Sequence, residues 1–107
     1  MEETVKRIID GLTYNTETAT KVASWSHGYR GDHGMYEESI YVTKHGRWFR
    51  SGFGGPASMY AKSVDNNSYS GGSGLFPLTE DEAMQILESY HQTDALEEHF
   101  SHRLEEA

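Results

Sequence analysis

Seven carboxylates fall between positions 80 and 98: Glu80, Asp81, Glu82, Glu88, Asp94, Glu97 and Glu98. Two kinds of surface fit such a run. One is the solvated exterior of amphipathic helices. The other is a negative surface that imitates the spacing of phosphates. Solvated helices ordinarily mix both signs, because opposite charges at i,i+4 stabilise them. From Ser63 onward, Arg103 alone interrupts the acids. The acidic residues are therefore read as partner-binding residues, directed at a protein with a basic surface.

Other constellations offer less. Among six histidines, His27 and His33 flank a glycine loop with Asp32 between them, and His99 and His102 form an i,i+3 pair. A zinc site needs a defined third ligand, and a catalytic one also needs a general base. Neither pair supplies an identifiable third ligand, so no metal is expected. Gly71-Gly72-Ser73-Gly74 lacks the Lys-Ser/Thr of a phosphate loop and is followed by Leu75-Phe76-Pro77, which reads as a flexible connector. Arg47, Trp48, Phe49 and Arg50 mix basic and aromatic side chains. As a strand they split by alternation, Arg47 with Phe49 and Trp48 with Arg50, so no single face gathers both cations. No nucleophile, base and orienting residue can be singled out. Neither catalysis nor a cofactor is expected.

The elements that must hold these residues can be read from periodicity and turn chemistry. Thr79 followed by Glu82 is a capping box, and Ala83, Ile86, Leu87 and Tyr90 recur at helical spacing after it. A helix is predicted near 79–91 and a second near 93–101, with Leu96, Phe100 and Leu104 inward. Tyr36–Thr43 alternates, Lys44-His45-Gly46 turns, and Arg47–Phe53 returns, which predicts a hairpin. Asp10-Gly11 is a tight-turn pair between Val5–Ile9 and Leu12–Tyr14. Thr20–Ser26 reads as a strand. Residues 27–35 and 65–74 read as loops, and Met59-Tyr60-Ala61 fits a helical turn or a strand end equally. The predicted architecture is α+β: a small antiparallel sheet within residues 4–53, a long loop, and two C-terminal helices on one sheet face. The expected core is Ile8, Trp25, Ile40, Val42, Trp48, Ile86, Leu87 and Phe100. Residues 102–107 are expected to fray.

The bulk properties bound the class. The 107 residues fit one domain with one modest core. The net charge is -8, with +1 over Met1–Lys62 and -9 over Ser63–Ala107. That asymmetry disfavours a grip on nucleic acid by the second half. No apolar run approaches the roughly 18–20 residues of a spanning helix, and Met1-Glu2-Glu3 does not open a secretory signal. Cysteine is absent, which excludes thiolate sites and favours a reducing compartment. A cytoplasmic monomer with no membrane contact is expected.

Four segments together carry a resemblance: Asp10-Gly-Leu-Thr-Tyr-Asn-Thr-Glu-Thr-Ala19, Lys44-His-Gly-Arg-Trp-Phe49, Gly52-Phe-Gly-Gly-Pro-Ala57 and Pro77-Leu-Thr-Glu-Asp-Glu-Ala83. Over about residues 4–100 the chain resembles a family of short proteins carried on bacterial mobile elements. That family is associated with anti-CRISPR inhibitors of type I-C surveillance complexes. The resemblance implies an inhibitor that keeps target DNA from a crRNA-guided complex by occupying its basic DNA path. It carries no catalytic motif. Two other readings stand beside it: a mobile-element accessory protein that binds another host or element protein, and a small metal-dependent enzyme using the Asp32/His33 loop.

Overall fold

The computed structural model describes residues 4–29, 31–65 and 68–107, with Asp65 described in its backbone alone. The architecture is α+β. A four-stranded antiparallel sheet is built from β3 (Thr20–His27), β4 (Tyr36–Val42), β5 (Trp48–Gly54) and β8 (Gly72–Leu78), in that spatial order. Two further hairpins stand outside it: β1 (Lys6–Ile9) with β2 (Leu12–Asn15), and β6 (Lys62–Asp65) with β7 (Ser68–Ser70). Helices α1 (Glu80–Ser89) and α2 (Thr93–Phe100) follow, then a 3-10 turn over Ser101–Arg103.

Local chemistry explains the boundaries. Asp10 and Gly11 both have positive φ, 52° and 77°. A two-residue type I′ turn requires this at both positions, which is why Asp-Gly closes β1 onto β2. At the start of α1, Thr79 accepts from the Glu82 amide at 3.1 Å, and the Glu82 carboxylate accepts from the Thr79 amide at 2.8 Å. At its end, His91 takes a left-handed conformation with φ 57°. The His91 amide then donates to Glu88 and the Gln92 amide to Leu87, the pair of bonds that ends a helix in a Schellman motif.

Alternation in the sheet sorts side chains onto two faces. Ile40 and Trp48 point to the helices and pack with Ala83, Leu87, Ala95, Leu96 and Phe100. Trp48 stacks on Phe100 with ring centroids 5.0 Å apart. Tyr41, Phe49 and Leu75 point the other way, where Tyr14 of the first hairpin covers them, with Val5, Ile9 and Ala19 around it. Tyr14 meets Phe49 edge-on at 5.5 Å.

Several expectations are corrected. The sheet reaches beyond residue 53, because Gly72–Leu78 pairs along β5 from Gly54↔Gly72 to Trp48↔Leu78. The expected loop over 65–74 therefore holds parts of three strands; Asn66 and Asn67 lie outside the described residues. Ile8 is 70% exposed, not in the core. Neighbouring strand residues face opposite sides, and Ile9 takes the inward position against the Tyr14 cluster. Trp25, Val42 and Ile86 are half-buried at the margin of the helix-side core, and Leu104 is exposed. Part of the expected frayed tail is ordered as the 3-10 turn. Its Arg103 reaches back to Asp81 at 2.7 Å and to Glu80 at 3.3 Å.

Candidate functional site

The helical layer places all seven acids on its exposed side, because Ala83, Leu87, Ala95, Leu96 and Phe100 take the sheet-facing positions. They are not equivalent. Asp81 and Glu80 are engaged by Arg103, and Glu80 also lies 3.9 Å from His102. Those contacts hold Arg103 firmly protonated, its hydrogen bond to Asp81 foremost. The Glu82 carboxylate is committed to the cap of α1. Glu88, Asp94, Glu97 and Glu98 remain. Among the described residues none of these four pairs with a lysine or arginine, and Glu98 has His99 at 3.9 Å. The available negative surface therefore runs from the end of α1 along α2.

A second cluster was not anticipated. Glu38, in the middle of β4, is 2% exposed and lies on the helix-facing side of the sheet. The Trp25 indole N–H donates to its Oε1 at 2.9 Å, and the Tyr60 hydroxyl donates to its Oε2 at 2.5 Å. Arg50 Nε stands 3.9 Å from Oε2 without a hydrogen-bond partner of its own, and the guanidinium lies over the Phe76 ring at 5.6 Å. Tyr90 stacks on Trp25 at 4.2 Å, with its hydroxyl 3.1 Å from that of Tyr36. Gly52 makes room for this arrangement: a Cβ there would lie 2.6 Å from the Tyr60 hydroxyl and from the Glu37 carbonyl oxygen. A carboxylate with two direct donors and an adjacent guanidinium is a satisfied buried anion. It fastens β3, β4, β5 and the 55–61 segment to one another.

This network makes an alkaline prediction. Burial and then the hydrogen bond to Glu38 hold the Tyr60 hydroxyl far above its ordinary pKa of 10.0. Tyr90 is raised by its hydrogen bond to Tyr36 and then by burial. A folded-state pKa above the unfolded one means that the native state retains a proton the unfolded chain releases. The stabilisation is complete below about pH 10 and is lost as pH rises beyond it. Stability should therefore fall above about pH 10, and Tyr60→Phe should flatten that fall in a urea-midpoint series across pH 8–11. A parallel slope in the variant would remove Tyr60 as its source.

On the opposite face, beyond the cover of the first hairpin, lies an open trough of about 390 Å³. Ser24, Ser39 and Ser51 form one register row across it, with Ser26, Ser73 and Glu37 in the next. Its described lining contains no histidine, so it provides hydroxyls without an imidazole base.

The remaining sequence candidates have individual roles. Asp32 Oδ1 accepts from the Gly34 amide at 3.0 Å, within its own loop. His27 stacks on Tyr36 at 5.3 Å, and His99 meets Trp48 edge-on at 5.8 Å. Among the described residues no group of three or more His, Cys, Asp or Glu side chains is arranged to hold a metal ion. Among the described residues no helix is long and apolar enough to cross a membrane. The Gly71–Gly74 segment, expected as a connector, enters β8 at Gly72, and Gly72 packs against the Tyr60 carbonyl, where a Cβ would lie 2.5 Å from the oxygen. Comparison with protein-family models, with curated proteins and with solved structures finds no match.

Proposed function

We propose that this protein is an inhibitor that works by occupation: the acidic surface of α1 and α2 docks on a basic, nucleic-acid-binding path of a partner protein. The observation that carries the reading is the arrangement of the helical layer. Its apolar side is used against Ile40 and Trp48, and its outer side presents Glu88, Asp94, Glu97 and Glu98 with no lysine or arginine pairing among the described residues. Unpaired charge of one sign on a rigid layer raises the association rate with an oppositely charged groove and makes it sensitive to salt. Glu80, Asp81 and Glu82 stay in the same surface as supporting charge, already tied to Arg103 and to the helix cap. The choice of partner, a type I-C CRISPR surveillance complex, rests on the sequence resemblance.

The test is charge reversal. Glu88→Lys, Glu97→Lys and Glu98→Lys combined should leave folding nearly intact, since exposed substitutions ordinarily shift stability by about 0.5 kcal/mol or less. The same triple variant should lose binding to the purified type I-C complex and restore interference in a phage-plaquing assay. Parental binding should also weaken steeply as salt is raised. A folded triple variant that inhibits as well as the parent would reduce the acids to a solvated face.

A further inference from the structure

The positive charge of this acidic chain is not spread evenly. Between the first hairpin and the β4–β5 turn lies a cavity of about 610 Å³, within the range of roughly 300–1,000 Å³ usual for small-molecule sites. Lys6, Lys44, His45 and Arg47 line it, and none of its described lining residues is an aspartate or glutamate. The whole chain has 17 acids against 9 lysines and arginines. Three of those cations meet here, on exposed positions, and none of the three pairs with a carboxylate among the described residues.

The neutral lining groups are biased the same way. Thr43 Oγ1 accepts the Arg47 amide at 3.1 Å, which leaves the hydroxyl proton free to donate. Asn15 Oδ1 accepts the Glu17 amide at 2.9 Å, which occupies its acceptor and leaves the side-chain NH2. Acceptors are used internally, and donors and cations remain for a guest. The turn is built to hold this geometry: Gly46, at φ 81°, donates its amide to the Thr43 carbonyl at 2.9 Å. The acidic helices lie across the sheet, on the face opposite the hairpin. Helices and hairpin pack on opposite faces of the sheet, two layer spacings of about 10 Å each, which exceeds the Debye length of about 8–10 Å at physiological salt and weakens the helices' repulsion at the cavity.

We infer that this cavity is a binding site for a small, multiply charged phosphate compound of the pyrophosphate or nucleotide class. Several converging donors and separate cations suit a ligand with several anionic oxygens better than a monoanion. The site is independent of the acidic docking surface and survives or fails separately from it.

Titration calorimetry of the full chain with pyrophosphate, ATP and a single-stranded oligonucleotide tests the inference. Pyrophosphate or ATP should saturate one site per chain, and Lys44→Ala combined with Arg47→Ala should weaken that binding at least tenfold, with far-UV circular dichroism unchanged. Equal affinity for the two would place recognition in the phosphates alone; tighter ATP binding would add the nucleoside to it. Glu88→Lys, on the other face, should leave the affinity within twofold. Lys6→Gln provides a second variant away from the turn and should weaken binding severalfold. No saturation by either small ligand at millimolar concentration would overturn the inference. So would binding unaffected by the double variant, or saturation by the oligonucleotide alone.

Discussion

Glu38→Ala should destabilise the protein by about 3–5 kcal/mol, the range found when one partner of a buried charged network is removed. Against a typical total stability of about 5–15 kcal/mol this is a large fraction. The loss has three parts. Trp25 Nε1 and the Tyr60 hydroxyl lose their acceptor, and Arg50 Nε, already without a hydrogen bond, loses the carboxylate 3.9 Å away. Truncation also leaves a void beside Gly52, which has no side chain to fill it. Glu38→Gln should cost less, because its amide oxygen still accepts one of the two bonds. Urea denaturation of the two variants, of Tyr60→Phe and of the Glu38→Ala/Tyr60→Phe double variant measures this. Double-mutant coupling near zero, or a loss below about 1 kcal/mol for Glu38→Ala, would mean that the network contributes little.

Phe100→Ala should cost about 3–5 kcal/mol for a different reason. Phe100 is 1% exposed at the last position of α2, with Trp48 stacked on it from β5. Both transfer free energy and cavity contribute, and Trp48 loses a stacking partner. The helical layer rests on few large residues, Phe100 and Leu87 chief among them, with alanines at Ala83 and Ala95 between. Its removal should therefore loosen α2 first, visible as amide exchange rising in 93–100 ahead of β4. Leu104→Ala is the matched control: at 40% exposure it should stay within about 0.5 kcal/mol of the parent. Similar losses for both would show that Phe100 is not the anchor.

What could be read from the sequence depended on whether the determinant was local. The start of α1 was legible because Thr79 and Glu82 cap each other, and the β1–β2 turn because Asp10-Gly11 suits only a narrow backbone class. The β4–β5 hairpin was legible from alternation. Strand β8 was not. Two of its seven residues are glycine and one is proline, a composition that disfavours strands. Its glycines answer instead to a distant segment: a Cβ on Gly72 would lie 2.5 Å from the Tyr60 carbonyl oxygen, and one on Gly74 would lie 3.6 Å from the Tyr60 ring. The Glu38 cluster escaped for the same reason, since its partners lie 13, 22 and 12 positions away at Trp25, Tyr60 and Arg50. One local sign was present. Glu38 shares its parity with Ile40 and Val42, so an acid stands in the apolar row of β4, where a carboxylate must find donors. The basic cavity was half visible. Arg47 stands out, but strand alternation puts Arg50 on the other face, and Lys6 lies 41 positions before Arg47 in another element.

The strand order β3-β4-β5-β8 leaves two outer strands, each with a row of backbone groups that a second chain could pair with. The same irregularities that complicate the ladder also guard those edges against sticking to other chains. On β3, the register shifts between Lys21 and Ala23, so the rim is bent where a straight template would be needed, and a lysine stands at the bend. On β8, Pro77 lacks an N–H, and proline is accepted in sheets essentially only at such a margin. A bulge and a lysine on one side and a proline on the other interrupt the edge-to-edge growth by which exposed strands begin aggregates, so the sheet can end in solvent without recruiting further strands.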